Sequence, residues 1–463
     1  MKKVILSTMI ISSSLLSFGQ SAIKYPATKK IDKVDVYFGN SIPDPFRWLE
    51  DDRSAETAEW VKEQNKVTFD YLAAIPFRNT IKARMEKLWN YEKVSAPFKE
   101  GDYTYYYKNN GLQNQSVMYR KDAKGTEELF LDPNTFSKDA TTSLDGVSFS
   151  KDGSLVAYSI SEAGSDWRKV IFIDAKTKQS IGEPLVDVKF SGLSWKGNEG
   201  IFYSSYEKPK GSELSAKTDQ HRLFFHKLGT KQAEDAILFG DQEKRRYVGG
   251  YVSDDNRYLF ISAANSTSGN ELYLKDLSVP NSPIVAIHKG FEYDVDVLDN
   301  IGTTLFIVTN LKAPNKRIVT VDVANPGVEN WKDLIPETEQ VLNPSTGAGY
   351  IFANYMKDAV SVVKQFDYKG KLIRTIALPG VGTASGFGGK AKDKELYFSF
   401  TNYVTPGTTY TFFPDSGKSS VYVKPKVDFV SENYESKQVF FTSKDGTKVP
   451  MIITHKKGLQ LNG

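Results

Sequence analysis

The stretch Phe149-Ser150-Lys151-Asp152-Gly153-Ser154-Leu155-Val156-Ala157-Tyr158-Ser159-Ile160 decides how this chain is read. A polar turn built on Asp and Gly separates two apolar runs. Asp bonds its own backbone in such turns, and Gly accepts positive φ without strain. The arrangement returns as Val252-Ser253-Asp254-Asp255-Asn256-Arg257-Tyr258-Leu259-Phe260-Ile261-Ser262, with Asn in the place of Gly. Polar hairpins follow each, spanning 169–181 and 271–287, and a third spans 317–335.

The pattern repeats in imperfect copies at 97–136, 144–184, 187–240, 247–290, 293–337, 341–380 and 383–425. The spacing matches the blade length of a β-propeller. A single four-stranded blade cannot bury both faces, whereas a ring of blades can, leaving only short protected edges. The copies continue without an intervening helix or linker. This predicts a mostly β chain with a seven-bladed propeller over 97–425. A long β-sandwich or a series of small β domains is the competing reading. The sixth copy is the least regular, and its strands are not assignable from the pattern.

The 463 residues, 40% apolar and 13% aromatic, suffice for a large core and more than one domain. The 60 basic and 56 acidic residues nearly balance and form no long block of one sign. Nothing therefore points to nucleic acid or to an acidic membrane surface. Cysteine is absent, which excludes disulfides, thiol catalysis and thiolate metal sites. The four histidines are His221, His226, His288 and His455, and none forms a spaced ligand pair. His221 and His226, five apart on an apparent strand, point to opposite faces. No metal or cofactor is expected.

Residues 1–19 carry the pattern of a secretory signal: Lys2 and Lys3, an apolar segment to Phe18, then small residues at Ser17 and Gly19. A short N-terminal membrane anchor is the alternative. Cleavage would lower the formal charge from +4 to +2, and it predicts a periplasmic or secreted product without a membrane segment. Residues 20–96 read as a helical segment. One helix is predicted over 54–72, started by Ser54 with Glu56 and Thr57 and closed before Pro76, with Ala58, Val61, Asn65 and Phe69 at helix spacing. A second is predicted over 79–89, with Ile81, Met85, Leu88 and Trp89 on one face. Both stripes need something to bury them. Within 426–463 the pattern changes to a hairpin, with strands at 437–442 and 449–455 around a turn at 443–448.

These residues carry a resemblance. Asp44-Pro45-Phe46-Arg47-Trp48-Leu49-Glu50-Asp51 resembles a signature near the start of the prolyl oligopeptidase family of serine peptidases. Gly164-Ser165-Asp166-Trp167, His226-Lys227-Leu228-Gly229-Thr230 with Glu234-Asp235, Thr309-Asn310 through Pro314-Asn315 and Arg317, and Thr405-Pro406-Gly407 are similar to its blade motifs. The run 443–451 looks like the start of that family's hydrolase domain. The matches keep their order from Tyr25 to Gly463. The resemblance implies an α/β-hydrolase domain built from an N-terminal and a long C-terminal segment, with the propeller inserted between them. It implies cleavage of short peptides on the carboxyl side of proline by Ser, Asp and His from the C-terminal segment, in a protein that is monomeric when complete. It also implies that Phe190, within Lys189-Phe190-Ser191, reaches the apolar substrate pocket; the other reading is a blade-core aromatic. Val248 and Thr267 fall at other pocket-facing positions, though the family's residue types differ there.

No catalytic residue is assigned. The nucleophile elbow G-x-S-x-G is absent: Gly382-Thr383-Ala384-Ser385-Gly386 places Ser one position late, and Gly146-Val147-Ser148-Phe149-Ser150 lacks the second Gly. His455 reads as structural. The expectation is an N-terminal and propeller portion, 426–463 being the start of the hydrolase domain, truncated before its catalytic part and inactive without that segment in cis or in trans. The alternative is a stand-alone propeller that binds peptides or proteins without catalysis.

Overall fold

The computed structural model describes residues 23–209, 218–460 and 462–463; the signal sequence expected over 1–19 lies outside them. The chain divides into two compact units, one holding residues up to Lys82 and the other Ala83–Pro209 with Ala216–Gly463.

In the first unit, the hairpin Val34–Tyr37 and Asn40–Pro43 precedes a short turn of 3₁₀ helix, Arg47–Glu50. The signature sequence there is a structural knot. Arg47 binds Asp44 at 2.6 Å and also Asp35, while the Trp48 indole donates to the Lys29 carbonyl at 2.9 Å. Helix α1 is Ala55–Ala73, and the Ser54 hydroxyl caps it by accepting from the Thr57 amide at 3.1 Å. Helix α2, Arg78–Trp89, runs from the first unit into the second, the division falling after Lys82. The apolar side chains predicted to need cover, Phe69, Ile81, Met85, Leu88 and Trp89, are all exposed.

The second unit contains seven consecutive antiparallel sheets, each built from contiguous sequence. Six have four strands; the first has five, because Lys93–Val94 and Phe98–Glu100 both pair with Tyr103–Asn109. The first strands of blades 2 and 3, of blades 3 and 4, and of blades 5 and 6 approach one another, which puts them toward the axis of the ring. Aromatic and β-branched side chains fill the spaces between blades. Between blades 4 and 5 these include Tyr258, Phe260, Leu272, Val295, Leu305 and Val319; between blades 6 and 7, Phe352, Phe387, Phe398 and Phe412.

The decisive turn behaves as its residues dictate. The Asp152 carboxylate accepts from the Ser150 hydroxyl and the Ser154 amide, both at 2.9 Å, and Gly153 has φ +74°. Burial raises the Asp152 pKa, but these bonds and one from Asn198 outweigh it and hold the carboxyl below its usual range. In blade 4, Ser253, Asp255 and Asn256 repeat the geometry, Asn256 taking φ +61°. The same carboxylates tie blades together: Asn198 donates to Asp152 at 2.7 Å and Asn300 to Asp255 at 2.8 Å. The first and seventh blades share no strand; Lys390 reaches Glu100 across that seam at 2.6 Å.

Two sequence boundaries move. Leu185–Lys189 pairs with Trp167–Asp174, so it is the last strand of blade 2 and not the start of the third copy at 187. The sixth blade is regular, with strands Val341–Gly347, Tyr350–Lys357, Val360–Phe366 and Leu372–Thr375. The C-terminal hairpin is Tyr434–Thr442 against Lys448–Lys456, longer at its open end than the sequence pattern indicated.

Candidate functional site

The site is built where blade 2 hands the chain to blade 3. The register between Trp167–Asp174 and Leu185–Lys189 shifts between Arg168 and Val170, and the chain responds with two left-handed residues, Asp187 at φ +54° and Phe190 at φ +53°. A side chain with a Cβ in that region costs about 1–2 kcal/mol, so bonds from elsewhere must hold it. They are present. The Ser191 hydroxyl accepts from the Ser204 amide at 2.7 Å, and the Ser205 hydroxyl donates to the Asp187 carbonyl. Phe190 then projects outward, 51% exposed, which removes the blade-core reading of this aromatic. Its ring lies 6.2 Å from that of Tyr206, edge-on, and 6.1 Å from that of Tyr247.

His221 anchors this cluster from beneath. It is fully buried, its Nε2–H donates to the Lys189 carbonyl at 2.9 Å, and its Nδ1 accepts from the Val248 amide at 2.8 Å. Those partners fix one neutral tautomer, since a carbonyl needs a donor and an amide needs an acceptor. Burial pushes the imidazole down to about 4, against a smaller upward pull from the Lys189 carbonyl. The His221 ring stacks on Tyr206 at 4.2 Å, and the Tyr206 hydroxyl donates to the Arg246 carbonyl. One imidazole thus joins the residue before Phe190 to blade 4. Sequence reasoning missed His221, because its partners are 32 and 27 residues away and no local spacing marks them. Of the other pocket expectations, Val248 is buried in the core between blades 3 and 4, while Thr267 is exposed in the loop after Tyr258–Ala264.

The remaining candidates stay apart. Ser385 sits on the first strand of blade 7, opposite Ser399. His455 pairs across the C-terminal hairpin with Glu435, an acid the sequence did not reveal, at 3.5 Å. Its Nδ1 lies 3.0 Å from the Lys456 carbonyl. His226 binds the Asp235 carboxylate at 2.9 Å, Tyr203 donates to the same carboxylate at 2.9 Å, and all three are buried. That trio explains the motif at 226–235: it pins the outer hairpin of blade 3. Acyl transfer needs a nucleophile, a base and oxyanion donors at one point. Among the described residues no such set converges, nor does a group of three acidic or histidine side chains able to hold a metal. A cavity of about 310 Å³ between Ala359, Val381, Thr383, Thr401, Asn402, Tyr403 and Ile452 is lined by no carboxylate, imidazole, ammonium or guanidinium group.

Residues 26–425 match the family model described as prolyl oligopeptidase, N-terminal beta-propeller domain. The prolyl endopeptidase of Elizabethkingia miricola is 59% identical over 445 residues, covering 96% of this chain and 63% of that protein. The chain therefore spans less than two thirds of that relative's length. A prolyl endopeptidase solved in work on inter-domain dynamics, catalysis and specificity superposes with a TM-score of 0.83 at 30% identity, over 94% of this chain and 65% of that one. Prolyl oligopeptidase B from Galerina marginata, bound to a 35-residue hydrolysis and macrocyclization substrate, gives 0.80 at 26% identity, over 95% and 66%. By the family model and these relatives, the chain belongs to the prolyl oligopeptidase family, of which it carries the N-terminal β-propeller part.

Proposed function

We propose that this chain is the propeller-bearing part of an exported endopeptidase that cleaves short peptides after proline. In this reading the propeller gates access to the active site, and Phe190 lines its apolar substrate pocket. One observation carries the reading: an aromatic side chain stands half in solvent on strained backbone, held there by a buried histidine and two serines. Strain of this kind persists where a side chain must be aimed. A hydrolase segment supplies the serine, acid and histidine, in cis or in trans. It also covers Phe69, Ile81, Met85 and Trp89 of the helices and Phe440, Phe441 and Met451 of the hairpin, which are exposed here. Without it the chain is inactive. Residues 1–19 direct export to the periplasm or beyond, so N-terminal sequencing of the mature protein should start near residue 20; retention of Met1 contradicts export.

The test joins this chain to the C-terminal segment of the Elizabethkingia miricola relative and measures turnover of a chromogenic peptide with proline before the scissile bond. Phe190→Ala removes an aromatic contact of about 1–2 kcal/mol, so KM should rise roughly 5- to 30-fold with kcat little changed. Equal kinetics for Phe190→Ala and the parent would overturn the assignment.

A further inference from the structure

Lys189 is the residue that the cluster leaves incomplete. It is only 5% exposed. Its ammonium lies 4.9 Å from the Trp167 ring centre and 5.2 Å from that of Phe190. It nonetheless has no hydrogen-bond acceptor and no carboxylate partner among the described residues, and it is not among the polar atoms sealed from solvent. Its neighbour Lys208, also near the Trp167 ring at 5.7 Å, is paired with Asp187 at 2.8 Å, so the adjacent carboxylate is already engaged. Arg246, over the Tyr247 ring at 5.5 Å, adds a further positive charge on the same cluster.

Holding a lysine whose residue is 5% exposed with no protein acceptor for its ammonium is costly, and two aromatic faces return only part of that cost. Rings attract the charge but do not replace the directional bonds of three N–H donors. The stem of Lys189 is packed and its tip meets solvent, which leaves its donors available beside the exposed face of Phe190. A carboxylate arriving there gains a charge-assisted bond to a group already immobilised, so it loses little entropy on binding.

We propose that Lys189 is a carboxylate-binding residue: an oligopeptide lays an apolar side chain on Phe190 and places a carboxylate on the Lys189 ammonium. The carboxylate belongs to an acidic side chain or to the peptide's C-terminus. Side chains two residues apart on one face of an extended peptide are about 6.6 Å apart, a span that suits a ring contact beside a charge contact. This rests on the reading of Phe190 as peptide-contacting, and it adds a preference for acidic peptides that Phe190 alone does not supply.

The experiment measures binding to this chain by calorimetry with three N-acetylated peptides: Glu-Gly-Phe and Gln-Gly-Phe, both amidated at the C-terminus, and Gln-Gly-Phe with a free C-terminal carboxylate. The first or the third should bind roughly 5- to 10-fold tighter than the neutral peptide, and which does so identifies the source of the carboxylate. Lys189→Met, which keeps the packed stem, should abolish that gap; Lys189→Arg should keep it. Phe190→Ala should weaken all three peptides. Should Lys189→Met fail to fold, the wild-type gap must still shrink as salt is raised. A wild type that binds all three peptides equally, with Phe190→Ala weakening each, overturns the Lys189 site and spares the Phe190 reading. A gap that survives Lys189→Met likewise overturns it. Absence of binding by any peptide overturns both.

Discussion

Substitution of His221 by Leu tests the anchor beneath Phe190, and its consequences differ with pH. Leucine fills much of the imidazole's volume but leaves the Lys189 carbonyl and the Val248 amide without partners in a fully buried place. Each orphaned group costs about 1–3 kcal/mol, so the variant should lose roughly 4 kcal/mol near neutral pH. The wild type carries a pH penalty that the variant lacks. His221 is held at about 4 when folded, against 6.5 for a free imidazole. Between those values the unfolded chain binds the proton and the folded one does not. The stabilisation is therefore full above 6.5 and declines as pH falls towards 4. Going from about pH 7 to about pH 5, linkage gives a loss of roughly 2 kcal/mol from this group. His288, also lowered by burial, contributes in the same direction in both proteins and cancels in the comparison. Urea unfolding followed by circular dichroism should show the gap between wild type and His221→Leu narrowing by about half over that range. A gap that stays constant, or widens in acid, refutes the neutral, doubly bonded histidine.

Gly153→Ala should destabilise by more than about 1 kcal/mol, read as a lower urea midpoint, because φ is +74° and a Cβ there would lie 2.2 Å from the Gly101 amide nitrogen. Ser54→Ala removes the cap of α1 and should cost about 1 kcal/mol in the unit that contains it, visible as faster amide exchange in the first helical turn. The chain on its own should self-associate, since Phe69, Met85, Trp89, Phe440 and Phe441 are exposed together with the hairpin's strand edges; light scattering that shows a monomer at high concentration with no apolar dye binding contradicts this.

The fold was legible because its commonest turn is chemically explicit. Ser150, Asp152 and Gly153, and then Ser253, Asp255 and Asn256, write their hydrogen bonds into adjacent residues. Where the boundary was misplaced, the signal was misleading. Gly182-Glu183-Pro184 looks like a break between blades, yet the true passage comes after Lys189, where a phenylalanine takes the left-handed conformation that a sequence reader assigns to glycine. The sixth blade hid its first strand because Asn343-Pro344-Ser345 interrupts it with residues depleted in strands; an inner edge tolerates proline where a central strand would not. Phe190 was singled out only through its resemblance to a family segment, with pocket and blade core both left open. Its support was not legible, because Tyr206 and His221 of blade 3 meet Tyr247 of blade 4 beside Phe190 only once the blades have stacked. Glu435 opposite His455 was missed for a smaller reason: the hairpin register was read from 437, two residues short of the pair.

The most direct test asks whether this chain performs the family's chemistry by itself. Purified protein is incubated with a Gly-Pro reporter and, separately, with a serine-directed phosphonate, and then with the C-terminal segment of the Elizabethkingia miricola relative supplied. The chain alone should neither release the reporter nor take up the label, and Ser385→Ala and His455→Ala should behave as the parent does, since Ser385 and His455 share no partner. Activity should appear only with the added segment. Cleavage by the chain alone that is lost on substituting one of its own residues would contradict the reading of it as the non-catalytic part.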